Sequence, residues 1–186
     1  MRRIDIPFCG PFALRTEHDE SCAARLIDLI NSRANAFDRN PDPGHVTGSA
    51  VVVSEDFRMM LMTHHAKLGR WLQLGGHCDG IKDAFFVAKK EAYEESGLNR
   101  IESLTAQVLD LDIHAIPASS RDPEHLHYDV RFLFRADARA ALQVSAESRS
   151  LRWIPLAELE SVTTEVSVLR LRSAIVHCRE AVPGAR

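Results

Sequence analysis

The sequence predicts a mixed α+β sandwich, in which helices flank a sheet, and three observations support this prediction. Between Thr47 and Leu156, runs rich in β-branched and aromatic residues outnumber helical runs, as expected of strands. Runs with apolar residues at helical spacing precede these strands, interrupt them once and follow them. The chain has 186 residues, 45% of them hydrophobic, which is enough to enclose one core. We therefore expect one α+β domain.

Charge and cysteine usage exclude several classes of protein. The formal net charge of −3 gives no basic footprint for nucleic acid, and no apolar run approaches the ~20 residues of a membrane-spanning helix. The N-terminus lacks a continuous apolar segment, so no signal peptide is predicted. The cysteines lie far apart without a CxxC pair, which favours reduced thiols: Cys9, Cys22, Cys78 and Cys178. We expect a cytoplasmic protein that binds neither nucleic acid duplexes nor membranes.

The N-terminal part of the chain, residues 1–44, is predicted to be a helical extension and linker within the same domain as residues 45–186. Apolar positions at helical spacing predict a helix over residues 21–37, with Ser21 as its N-cap. Residues 38–45 contain two prolines and a glycine, which predict a break in regular structure.

The central segments alternate between strand and helix signals. Two short apolar runs, residues 48–54 and 58–64, predict a hairpin, and the glycine-rich residues 67–83 predict a loop. Residues 84–96 predict a helix, because Asp83 is a suitable N-cap and Gly97 a suitable C-terminal residue. The remaining strands are predicted at 106–116, 126–136 and 150–156, and the remaining helices at 157–162 and 165–182.

Three carboxylates gather on one face of the predicted helix 84–96. Glu91, Glu94 and Glu95 stand at spacings of i, i+3 and i+4, where like charges destabilise an isolated helix by about 0.2–0.5 kcal/mol per pair. A divalent cation that prefers carboxylate oxygen, such as Mg²⁺, would offset this repulsion. Gly75 and Gly76 precede the helix and let the backbone approach a ligand closely. A solvated acidic surface is the alternative interpretation.

The surrounding pattern favours the metal site. Residues 76–98, GHCDGIKDAFFVAKKEAYEESGL, resemble the Nudix box G-x5-E-x7-R-E-U-x-E-E-x-G-U, where U is aliphatic, with the spacing kept over the whole stretch. Two positions depart from the pattern, because Lys82 replaces a glutamate and Lys90 replaces the arginine. Lysine keeps the charge of arginine but lacks its planar fork. Asp79 and Asp83 are candidates to supply the missing carboxylate.

The resemblance implies a Nudix-type α/β/α sandwich with an additional N-terminal helix, and a hydrolase of nucleoside diphosphates linked to another moiety. It implies Mg²⁺ or Mn²⁺ as cofactor, with Glu91, Glu94 and Glu95 as catalytic ligands and the Gly75 carbonyl as a further ligand. Glu91 is also a candidate base. Many family members place another glutamate before a tryptophan-bearing strand, and Glu147, six residues before Trp153, is a candidate fourth ligand or general base.

Nine histidines are many for this length, and several lie near the predicted site. His77 follows the two glycines, and His125 and His127 share a strand face if residues 126–136 are extended. Imidazole donates hydrogen bonds to phosphate, so we predict substrate contacts from Gly76, His77 and His127. A histidine-containing metal site is a second interpretation, and ordinary structural histidines are a third.

Two other functions stay open at this point. Lys82 and Lys90 are compatible with a weakened Nudix-fold module that binds nucleotides without turnover. The histidines and Cys78 are compatible with chemistry like that of isopentenyl-diphosphate isomerase. The expected partner is a small nucleotide-type diphosphate, and a homodimer is left open.

Overall fold

In the computed structural model, which describes residues 16–40, 42–120 and 122–181, seven strands form one mixed sheet between two layers of helices. The strands are β1 (Gly44–Ser54), β2 (Met59–His65), β3 (Trp71–Leu72), β4 (Leu74–His77), β5 (Glu102–Ile116), β6 (His125–Ala136) and β7 (Ser148–Pro155). The helices are α1 (Glu17–Ser32), α2 (Ala84–Ser96), α3 (Leu159–Val162), α4 (Val166–Leu169) and α5 (Leu171–Ala181), with a 3₁₀ turn over Leu156–Glu158. The predicted α/β/α sandwich and its N-terminal helix are confirmed.

Strand β1 is the centre of the sheet. One edge of β1 pairs in parallel with β6 over its whole length, from Gly44–Leu126 to Ser54–Ala136. The other edge pairs antiparallel with β4, from Thr47–His77 to Ala50–Leu74, and with β2 at Val53–Met60. β5 pairs antiparallel with β6, whereas β7 and β3 pair antiparallel with β2. This arrangement brings β4, β1, β6 and β5 side by side.

Alternation along β1 divides the interior into two cores. Ala50 and Val52 face the core formed with α1 and α2, whereas Val51 and Val53 face the core formed with α3, α4 and α5. Helix α1 buries Leu26 and Leu29 in the first core, and burial of such a side chain contributes about 1.5–3 kcal/mol. Cys22 and Cys78 lie in the first core and Cys178 in the second; Cys9 lies outside the described residues. None of the helices in the described part is long and apolar enough to cross a membrane.

The residues at its two ends set the limits of α2. The helix spans residues 84–96 as predicted, and the Asp83 side chain accepts a 2.9 Å hydrogen bond from the Phe86 N–H. Gly97 adopts a left-handed conformation with φ of 67°, and its N–H donates to the Tyr93 carbonyl. Both predicted caps of α2 are therefore confirmed.

The predicted helix 21–37 was misplaced. Helix α1 begins at Glu17, because Thr16 caps it and exchanges hydrogen bonds with Asp19 in a capping box. Ser21 is consequently inside the helix and not its N-cap. The helix ends at Ser32, since Arg33 is already extended.

Non-local pairing explains the other differences. The predicted loop 67–83 contains β3 and β4, because β1 and β2 supply the hydrogen-bonding partners of these two short strands. The predicted break 38–45 ends two residues early, since β1 already pairs with β6 at Gly44. The predicted helix 165–182 is divided into α4 and α5 at Arg170, with a hydrogen bond from the Ser173 N–H to the Arg170 carbonyl.

A buried ionic network joins β5, β6 and the segment around α4. Arg131 is only 1% exposed, and its guanidinium donates to Asp129 at 2.8 Å and to Asp110 at 3.0 Å. Arg170 donates to both Asp110 and Asp112 at 2.8–2.9 Å. Burial opposes ionisation of Asp112, but hydrogen bonds and the two guanidinium groups outweigh burial and hold its pKa well below the usual range. The network connects the interiors of β5 and β6 to Arg170, between α4 and α5.

Candidate functional site

The carboxylate of Glu95 is buried where α2 meets β4. Its side chain is on the inner face of the helix, the residue is 5% exposed, and Oε2 accepts a 2.8 Å hydrogen bond from the Gly75 N–H. Burial, together with the nearby charges of Glu91 and Glu147, raises the pKa of Glu95 to about 7 against the opposing hydrogen bond from the Gly75 N–H. The hydrogen bond from Gly75 therefore offsets only part of the free-energy cost of burying this carboxylate in its charged form.

Glu91 lies one turn earlier on α2 and faces Gly76. A Cβ atom on Gly76 would lie 2.7 Å from Cδ of Glu91, so any larger residue at position 76 would displace the carboxylate. Burial raises the pKa of Glu91, although the ammonium group of Lys90 opposes this shift. The absence of a side chain at position 76 thus leaves room for the Glu91 carboxylate beside β4.

Lys90 contacts two of the three helix glutamates. Its Nζ lies 3.2 Å from Oε1 of Glu91 and 2.7 Å from Oε2 of Glu94. The Glu94 side chain is 57% exposed, whereas those of Glu91 and Glu95 turn toward β4. The structure therefore brings Glu91 and Glu95 together at β4 and leaves Glu94 at the rim with Lys90.

Glu147 lies in the turn that precedes β7, the strand that carries Trp153. Its carbonyl accepts a 2.9 Å hydrogen bond from the Ala66 N–H, which ties the turn to the end of β2. Its exposed carboxylate raises the pKa of both Glu91 and Glu95, so it acts electrostatically on the same region. Gly75, Glu91, Glu95 and Glu147 accordingly belong to one acidic cluster.

The two candidates for the missing box carboxylate have other partners. Asp79 forms a bidentate pair with Arg39, with Oδ2 3.0 Å from Nη2, and Asp83 caps α2. Lys82 is exposed in the loop between them. In this structure, Asp79 is paired with Arg39 and Asp83 with the N-terminus of α2.

A group of histidines lies on the opposite face of β4. Because side chains alternate along a strand, His77 points away from the face on which Gly76 meets α2. Its ring centroid is 5.1 Å from those of both His45 and His127, and the latter two are 4.8 Å apart. The predicted pair His77 and His127 is thus joined by His45, which sequence reasoning missed because it assigned residues 38–45 to a linker.

The Cys78 thiol is too buried to be a reactive group. Its side chain is fully buried in the core that α2 covers, and burial raises the pKa of the thiol to about 12. Of the two features that were compatible with isomerase chemistry, the histidines and Cys78, Cys78 therefore no longer supports it.

No family model and no curated protein sequence matches the chain. Solved structures do match it. A NUDIX-family hydrolase from Clostridium perfringens superposes with a TM-score of 0.53 and 23% identity, over 71% of this chain and 96% of that one. The chain has the Nudix fold.

Two further structures share this Nudix fold. The Ap4A hydrolase of C. elegans matches with a TM-score of 0.53 and 16% identity, over 70% of this chain and 94% of its own. The E. coli dihydroneopterin triphosphate pyrophosphohydrolase matches with a TM-score of 0.53 and 13% identity, over 74% of this chain and 94% of its own. Within the Nudix fold of this chain, residues 76–98 run from β4 through the loop and along α2.

Proposed function

We propose that the protein is a metal-dependent hydrolase that cleaves the diphosphate linkage of a nucleoside diphosphate joined to another group. The observation that carries the proposal is the buried carboxylate of Glu95, which has one hydrogen bond from Gly75 and like charges from Glu91 and Glu147 around it. Two structures with the same fold are named for cleavage of Ap4A and of dihydroneopterin triphosphate, both of which contain phosphate anhydrides.

The acidic cluster fits a hard divalent cation. Carboxylate oxygens are the ligands that Mg²⁺ and Mn²⁺ prefer, and the raised pKa values of Glu91 and Glu95 indicate uncompensated negative charge. Glu91, Glu95 and Glu147 would hold the ion, with the Gly75 carbonyl as a further ligand. Glu94 would join them by turning away from Lys90.

Residues of the chain orient the metal-binding carboxylates and accept the proton in the proposed reaction. When bound, Mg²⁺ or Mn²⁺ supplies charge neutralisation at phosphate oxygens and activation of water. The Gly75 N–H holds the Glu95 carboxylate in place, and Lys90 holds that of Glu91. Glu91 or Glu147 would accept the proton of the attacking water. Of the three predicted substrate contacts, Gly76 adjoins Glu91, whereas His77 and His127 lie on the opposite face of β4 and have no role in this proposal.

Turnover of a substrate panel tests the proposal. The wild-type protein is assayed with Mg²⁺ or Mn²⁺ on nucleotide sugars, dinucleoside polyphosphates, ADP-ribose, coenzyme A and oxidised nucleotides. We expect release of a nucleoside monophosphate, and a kcat reduced at least about a hundredfold in Glu95→Gln. Glu124→Gln, at an exposed position, is the matched control and retains full activity.

Two outcomes would contradict the proposal. Unchanged turnover in Glu95→Gln would remove the acidic cluster from the reaction. Calorimetric binding of nucleotides without turnover of any compound would favour the non-catalytic module suggested by Lys82 and Lys90. Isopentenyl diphosphate is included in the panel, and migration of its double bond would indicate an isomerase.

A further inference from the structure

We propose that His45, His77 and His127 form a second metal site, which binds a late first-row divalent cation such as Zn²⁺. The three side chains come from β1, β4 and β6, which pairing with β1 brings side by side. The site does not depend on the proposed hydrolysis, because it uses none of the glutamates of the acidic cluster.

The distances suit three ligands around one ion. The candidate ligand nitrogens of the three rings all lie within 4.8 Å of one another. Three nitrogens at 2.0–2.1 Å from a tetrahedral ion are about 3.3 Å apart, so small rotations about the side-chain torsions close the gap. The nearly equal ring separations of 5.1, 4.8 and 5.1 Å leave a space between the three rings.

The hydrogen bonding of His45 prepares one of these nitrogens for a metal. Its Nδ1 lies 3.0 Å from the Asn40 carbonyl, and because a carbonyl only accepts, Nδ1 must carry the proton. In the neutral ring, Nε2 then has its lone pair available. Metal-binding histidines commonly hold the other ring nitrogen in this way.

Buried nitrogens without partners point into the same space. His45 is 3% exposed, and among the described residues the Nε2 atoms of His45 and His127 have no hydrogen-bond partner. Leaving a buried polar atom unpaired is unfavourable, and coordination to an ion would give both nitrogens a partner. This second observation distinguishes the group from a chance assembly of surface histidines.

The chemistry of the donors sets the class of ion. The donors are the imidazole nitrogens of one buried and two half-buried side chains. Neutral imidazole suits Zn²⁺, Ni²⁺ and Cu²⁺, whereas Mg²⁺ prefers the oxygen ligands of the acidic cluster.

The two sites lie on opposite faces of β4 and use different donors. Gly76 faces Glu91, and the next residue, His77, faces the histidines. Three protein nitrogens leave the fourth position of a tetrahedral ion open for water, which is the arrangement of catalytic zinc sites. His125 stacks on His45 at 5.2 Å and is the nearest alternative for that position.

Titration with Co²⁺ and Zn²⁺ tests the proposal in the full-length protein. Co²⁺ bound to histidines in a tetrahedral site gives strong visible absorption, whereas carboxylate and water ligands favour octahedral sites. We expect one equivalent of Co²⁺ to produce this spectrum and one equivalent of Zn²⁺ to abolish it. Glu91→Gln/Glu95→Gln is expected to keep the spectrum, which separates this site from the acidic cluster.

Removal of a ligand is expected to weaken Co²⁺ binding at least about tenfold. His77→Gln is the first variant because this half-buried residue tolerates change better than the fully buried His45, and circular dichroism checks its fold. His127→Gln is the second variant, and His64→Gln, at a histidine that packs on Trp71, is the control. An octahedral spectrum, or unchanged affinity in folded His77→Gln and His127→Gln, would overturn the proposal.

Discussion

The Gly75 backbone nitrogen lies 2.8 Å from Oε2 of Glu95 and joins β4 to α2 across 20 positions of the sequence. A glycine with φ of +155° occupies this position, and a Cβ atom there would come within 2.4 Å of the Ser49 Oγ. The backbone at Gly75 therefore lies between Ser49, which leaves no room for a side chain, and Glu95, which accepts its hydrogen bond. Because this hydrogen bond holds the buried carboxylate, Glu95 is the most informative residue to substitute in the acidic cluster.

The pH dependence of stability should report the burial of Glu95. Its pKa of about 7 in the folded protein is above the ordinary value, so the folded state binds the proton more tightly than the unfolded state. The resulting stabilisation is present below about pH 4.5 and is lost as pH rises through 7. Since glutamine is always neutral, we expect Glu95→Gln to gain up to about 3 kcal/mol relative to wild type between pH 5 and pH 8.

Urea unfolding in EDTA at several pH values measures this difference. Comparison with Glu95→Gln isolates the effect of this carboxylate and of its interactions with Glu91 and Glu147. Glu124→Gln serves as the control and should follow the wild-type curve. A difference that does not change with pH would show that Glu95 is solvated in the folded state.

Substitution of Gly76 should affect activity more than stability. In Gly76→Ala, the added Cβ would meet the end of the Glu91 side chain, which can rotate away without moving the backbone. We expect kcat to fall at least about tenfold, since displacement by about 1 Å is costly in a catalytic site. The free energy of unfolding should change by about 1 kcal/mol or less.

Gly69→Ala is the comparison for Gly76→Ala. No atom lies within 4 Å of the added Cβ there, although the φ of +63° gives a small stability cost. Its turnover should equal that of the wild type. Full activity in Gly76→Ala would indicate that the position of Glu91 does not matter for the reaction.

We expect Lys90 to orient the glutamates but to contribute little to the stability of the fold. Its side chain is 42% exposed, and exposed ion pairs typically contribute less than about 1 kcal/mol. Lys90→Gln removes both contacts, to Glu91 and Glu94, so we expect a several-fold lower kcat and a nearly unchanged melting temperature. Lys89→Gln, one position earlier, should match the wild type, and equal kcat values in the two variants would contradict the orienting role.

The buried network around Arg131 should dominate stability. Arg131→Met leaves Asp129 and Asp110 without their guanidinium partner, and breaking a buried pair typically costs about 3–5 kcal/mol. Arg135→Met breaks a more exposed pair with Glu102 and should cost less than about 1 kcal/mol. Urea unfolding compares the two, and similar losses would show that burial of the Arg131 network is unimportant.

Local chemistry explains which parts of the fold could be predicted from the sequence. The limits of α2 depend on Asp83 and Gly97, which act on their own helix ends, so the sequence pattern was sufficient. The strand Leu74–His77 has two glycines in four residues, and it is extended because β1 lies beside it. No pattern within residues 67–83 contains that information.

The contrast between local signals and non-local pairing also applies to the acidic cluster and the histidine group. Glu91, Glu94 and Glu95 share one helix, so their proximity follows from spacing, although the spacing did not show that Glu94 is exposed at the rim with Lys90. His45 lay in an apparent linker, and only its register opposite His127 across β1 and β6 reveals its neighbours. A polar residue at the last position of the predicted break, next to a run of apolar residues, was the available signal.

The parallel pairing of β1 with β6 also sets an order of assembly during synthesis. Gly75 and Glu95 are close in sequence, so their contact forms once a short segment has left the ribosome. Thr47 and Asp129, whose hydrogen bond lies next to the histidines, are 82 positions apart and must close a long loop first. The contact between Gly75 and Glu95 can therefore form before β6 joins β1, whereas the complete acidic cluster, which includes Glu147, and the histidine group, which includes His127, both require the later part of the chain.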